Sequence, residues 1–211
     1  MEPNTTLVTL VHQEYFTNTP TEACTNAILE FIEQTPERPG LDEHIIKRVL
    51  KISFRIPANR IFPDHLARLH GYAHHVANDL QDRSDVKKLY AHLHRDAANI
   101  VRKQYWLTQN ISLAQEAIKD YRVAALSADA RKEPGYVVAT LTERLRLSVK
   151  VGEYLRSPDI IDDALQELAR FPKAQVADGD LRHAKSTIDY ARTVAARIRR
   201  STAHATPPQR F

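Results

Sequence analysis

The sequence predicts an all-α protein of about nine helices, packed as an antiparallel helical bundle or a short helical-hairpin array. Three observations carry this. Apolar residues recur at helical spacing along nearly the whole chain, no segment alternates apolar and polar residues as a strand would, and Pro, Gly, Ser and Asn fall between the apolar stripes. At 211 residues a single core can bury about 70% of the unfolded surface, so stability needs no metal or covalent staple. The one cysteine, Cys24, rules out a disulfide framework and reads as a small core thiol.

The elements follow in order. Leu7, Leu10, Val11 and Tyr15 form a first stripe, and Ala23, Ala27, Ile28, Phe31 and Ile32 a second, between Pro20 and the Pro36 to Gly40 turn. A third helix runs from Asp42 to about Phe54 and ends before Pro57, since the residue preceding a proline is held away from helical dihedrals. Pro63 opens a fourth through Leu66, Leu69, Ala73, Val76 and Leu80. Ser84 is placed to cap a long fifth helix that reaches toward Trp106. The sixth follows Asn110, the seventh Pro134 and Gly135, the eighth Ser157 and Pro158, and the last Gly179 and Asp180. Residues 1–200 are expected to form one domain, any sub-boundary falling near 103–110, and 201–211 a disordered basic tail with too little apolar content to fold.

Three helix starts share a spacing: Ile111-x-x-Ala114, Ile161-x-x-Ala164 and Leu181-x-x-Ala184. With Tyr105-Trp106-Leu107 ahead of the first and Glu153-Tyr154-Leu155 ahead of the second, residues 105–171 resemble degenerate tetratricopeptide-type helical repeats. That resemblance implies a concave surface for a peptide or another protein.

Charge is segregated. Residues 1–45 hold eight acids and one base, 46–103 twelve bases and five acids, and 182–211 seven bases and one acid. A chain so arranged can pair with itself, with a second copy as a homo-oligomer, or with an anionic partner. Lys88, Arg95 and Arg102 stand seven apart on the fifth helix, and Lys185, Arg192 and Arg199 repeat the spacing on the last. Each trio draws a line about 21 Å long by the helical rise, a length suited to nucleic-acid phosphates.

Six of the ten histidines lie between residues 65 and 94. His70 and His74, four apart, share a helix face, and with Asp79 they are the residues that would ligate a metal, although no metal or other cofactor is expected. Arg60-x4-His65 and Arg68-x5-His74 resemble the Arg-x(4–6)-His pattern of helical ribonucleases of the HEPN type. The resemblance implies Arg68 and His74, or Arg60 and His65, as an RNA-cleaving pair, His moving a proton and Arg meeting charge on the phosphorane. Five scattered glycines provide no phosphate-cradling loop.

The sequence reading is therefore a non-enzymatic helical scaffold or assembly subunit, touching nucleic acid through phosphates on basic helix faces. A protein-only adaptor and a small metal-independent ribonuclease are the alternatives. No apolar run approaches the roughly 20 residues that span a bilayer, so no membrane partner is expected and the compartment expected is the cytoplasm.

Overall fold

The structure is a computed structural model, and it describes residues 5–35, 42–171 and 176–203. Nine α-helices and no strand occur among the described residues: α1 Thr5–Gln13, α2 Glu22–Gln34, α3 Glu43–Arg55, α4 Pro63–Leu80, α5 Lys87–Thr108, α6 Ile111–Ser127, α7 Pro134–Leu155, α8 Asp159–Arg170 and α9 Asp178–Ala203. Side chains start several of them. Thr21 Oγ1 accepts from Cys24 N at 3.3 Å, Asp42 Oδ1 from His44 N at 2.8 Å, and Asn110 Oδ1 from Ser112 N at 3.0 Å, each taking up an otherwise unpaired first-turn N–H.

The chain divides into two compact units, Met1–Ser127 and Ala128–Phe211. A tight turn at Gln109–Asn110 joins α5 and α6, which pack along their length. The division falls after α6, at a turn built on Asp129, whose Oδ1 accepts from Arg131 N at 3.0 Å. Residues 105–171 thus begin in the first unit and end in the second.

In unit 1, α5 packs against α3, α4 and α6. The core draws on Leu7, Ile28, Ile46, Leu50, Leu66, Leu69, Leu93 and Ile100, all essentially without exposed surface. Cys24 is fully buried in this core, and burial pushes its thiol up to about 12, which makes it inert. Lys103 is also buried. Its ammonium donates to Ser53 O at 2.9 Å, Phe54 O at 3.1 Å and Ile56 O, so a cation on α5 meets the carbonyls that end α3.

Unit 2 is built on α7, with α8 and α9 packed on it. Ala164 and Ala184 are buried, as their helical register implies. Gly152 allows the α7–α8 approach: a Cβ there would sit 2.7 Å from Ile161 Cγ1 and 2.9 Å from Ser157 O.

Two boundaries differ from expectation. The long helix starts at Lys87, after a single 3₁₀ turn over Ser84–Val86. Residues 201–203, expected in the tail, extend α9 instead, while the rest of that tail, 204–211, and the Pro36 to Gly40 turn lie outside the described residues. No helix among the described residues is long and apolar enough to cross a membrane.

Candidate functional site: a basic lane and a histidine–aspartate centre

The basic stripe expected on α5 is not a free solvent face. Because α5 has three helical neighbours, only Lys88 is exposed, while Arg95 and Arg102 are half-buried. Arg102 lies 5.4 Å from the Phe54 ring centroid and 5.8 Å from that of Tyr121. Arg95 joins a group that the stripe did not reveal. Lys47, Lys51 and Arg55 follow at four-residue steps on α3, and together with Arg95 they surround the Asp96 carboxylate electrostatically.

Burial of Asp96 outweighs these four cations and pushes its carboxyl up to about 6. Lys51 shows the other side of the crowding. Burial first, then the like charges of Arg55, Arg48 and Arg95, push its ammonium below the ordinary lysine value despite the pull of Asp96.

Two aromatic rings border this lane. Lys51 Nζ sits 4.0 Å from the Tyr15 centroid and Arg48 Cζ 4.6 Å from it, while Arg55 donates to Tyr15 O at 3.0 Å and to Thr17 O. The adjacent Phe16, 85% exposed, stands edge-on to Tyr15 at 4.9 Å. In unit 2, Lys185, Arg192 and Arg199 are all exposed on α9, as their spacing implies. Arg199 pairs with Asp162 on α8, and Arg192 lies 4.0 Å from Asp189.

The second place is polar and enclosed. His70 and His74 on α4 face Asp120 on α6. His70 Nε2 lies 2.9 Å from Asp120 Oδ2, and His74 Nε2 lies 3.0 Å from Oδ1 and 3.2 Å from Oδ2. From α5, His94 Nδ1 reaches Asp120 Oδ1 at 3.2 Å. Glu116, one turn before Asp120, brings Oε1 to 3.7 Å from His70 Nδ1. Burial works to raise the Asp120 carboxyl, but hydrogen bonds from the three histidines outweigh it and hold the group far below the usual carboxylate range. The bond to Asp120 likewise raises His74 against the opposing effect of burial.

His70 and His74 therefore converge as the sequence suggested, but on Asp120 and not on Asp79, which lies 3.8 Å from His75. Asp120 was missed although a signal existed. It lies at buried register with Ala117 and Ala124, and Glu116 and Asp120 repeat on α6 the four-residue step of His70 and His74 on α4.

Arg68 and His74 are directed to different neighbours. Six residues along a helix turn a side chain to a well-separated direction, so Arg68 Nη1 donates to Ile32 O on α2 at 3.0 Å while His74 meets α6. In the other copy, Arg60 bonds Asn26 Oδ1 at 3.0 Å and His65 lies 3.6 Å from Glu33. Neither pair shares a partner. No known family, curated protein or solved structure matches this chain.

Proposed function

We propose that the protein is a helical scaffold that holds single-stranded nucleic acid through its phosphates, using the α3–α5 lane as its main contact. One observation carries this reading: Arg48, Lys51 and Arg55 of α3 all meet Tyr15, with Lys51 Nζ 5.9 Å from the centroid of the exposed Phe16 ring. Like charges held this close repel one another, and an anion laid along them offsets that repulsion while releasing counterions. Phe16 supplies a face on which a base can stack, so the lane suits a strand whose bases are unpaired. The exposed face of α9, with Lys185 and Arg192, is a second and weaker phosphate contact.

The test is fluorescence anisotropy with a labelled single-stranded oligonucleotide across a salt series. Wild type should bind with an affinity that falls steeply with salt and varies little with base sequence. The Lys51→Ala/Arg95→Ala pair should reduce the salt slope by about two units. Phe16→Ala should weaken binding, by about 1–3 kcal/mol if one base stacks there, and leave the slope unchanged. Failure of wild type to bind at low salt would remove this reading, and weakened self-association in the double variant would replace it with the protein adaptor.

A further inference from the structure

We infer that His70 Nε2, His74 Nε2 and the Asp120 carboxylate form a binding site for one divalent first-row transition-metal ion of the zinc class, with Glu116 and His94 as positioning residues. The inference is independent of nucleic-acid binding.

Geometry comes first. The three donor groups lie within 4.8 Å of one another, and the nitrogen-to-oxygen separations are 2.9–3.2 Å. A tetrahedral ion with bonds of about 2.0–2.1 Å sets its ligand atoms about 3.4 Å apart, so each nitrogen-to-oxygen pair needs to open by only a few tenths of an ångström. Half-turn side-chain rotations are not required. The four-residue step of His70 and His74 already places both rings on one side of α4, their centroids 4.4 Å apart.

The chemistry of the donors narrows the ion. Two imidazoles and one carboxylate suit zinc, cobalt, nickel or ferrous iron, whereas calcium and magnesium require oxygen shells and cuprous ions prefer sulfur. Three protein ligands leave at least one coordination position for water or another small ligand. A route inward exists, because His74 is 35% exposed while Asp120 is 5% exposed.

The surroundings match what orients metal ligands. Glu116 Oε1 lies 3.7 Å from His70 Nδ1, the nitrogen left over when Nε2 faces the ion, and a carboxylate there fixes the ring and its tautomer. His94 Nδ1 donates to Asp120 Oδ1, which holds that carboxylate in turn. His94 Nε2 is buried and has no hydrogen-bond partner, so the polar contact that orients this ring is the one to Asp120. Burying an imidazole nitrogen without a partner costs stability.

The test uses the full chain freed of metal with a chelator and then titrated with Co2+, which gives a visible absorption band when bound in a low-symmetry nitrogen and oxygen site. The expected result is a band saturating at one ion per chain and abolished by equimolar Zn2+. His74→Gln, a substitution at a partly exposed position, should weaken affinity more than tenfold with the helical circular-dichroism spectrum unchanged. Glu116→Gln should weaken it about tenfold through loss of ring orientation. His75→Gln, which alters the neighbouring pair with Asp79, should leave it unchanged. Absence of a band in wild type overturns the site, and so does a His74→Gln protein that binds as wild type does or a His75→Gln protein that loses the ion.

Discussion

Asp120 in unit 1 and Arg144 in unit 2 are both charged side chains enclosed by helices, 5% and 3% exposed, yet their partners differ in kind. Arg144 on α7 reaches Asp163 Oδ2 at 2.6 Å and Glu167 Oε2 at 2.7 Å on α8. Its two terminal nitrogens each meet a carboxylate of opposite charge, while Nε is buried without a hydrogen-bond partner. Asp120 instead gathers three imidazoles, each of which can carry a proton, lose one or bind a metal. Burying a charge demands a partner in both units. A fixed cation makes a structural clamp, and exchangeable ones make a place where something can be bound.

The largest effect should come from breaking the clamp. Arg144→Ala should destabilise unit 2 by about 2–4 kcal/mol, measured by chemical denaturation. The substitution takes the guanidinium from Glu167, which is mostly buried, while Asp163 stays about half exposed and can be hydrated. Gly152→Ala should follow at about 1–3 kcal/mol, because one of the contacts, Ser157 O, is backbone and cannot swing aside.

The exchangeable partners should respond to pH where the clamp does not. In the metal-free protein, the lowered Asp120 contributes stability that is full above the unfolded carboxylate value of about 3.9 and is lost as pH falls below it. The raised His74 contributes stability that is full below about 6.5 and is lost as pH rises through its folded value. These two contributions are together full between about pH 4 and pH 6.5, while the raised Asp96 adds a loss of its own as pH rises toward about 6. His74→Gln should flatten the decline above that window. An arginine keeps its charge throughout, so Arg144→Ala should lower the melting curve without removing the decline above that window.

How much of this was legible follows from what periodicity can report. Each helix announced itself through its own apolar spacing, and the buried Ala114, Ala164 and Ala184 sat where that spacing put them. Periodicity does not count neighbours, however. The Lys88, Arg95 and Arg102 stripe read as a solvent face because nothing local shows that α5 is covered by α3, α4 and α6. Partners far apart in the chain were equally hidden. Asp120 meets histidines 26 to 50 residues away, and Arg144 meets acids 19 and 23 residues ahead.

The smallest expected effect compares the same device in both units. α5 and α7 each end on a residue in the left-handed region, Gln109 at φ 56° and Arg156 at φ 53°, where glycine is the usual occupant. A side chain there costs about 1–2 kcal/mol, and glycine returns about 0.5–1 kcal/mol of that through the added freedom of the unfolded chain. Arg156→Gly should therefore stabilise unit 2 by about 0.5 kcal/mol, seen as a higher denaturation midpoint at unchanged slope. Gln109→Gly should gain less, because Gln109 Nε2 donates to Trp106 O at 3.0 Å and the substitution removes that bond. If Gln109→Gly gained as much as Arg156→Gly, the bond to Trp106 would contribute nothing, and if both variants lost stability the left-handed caps would not be strained.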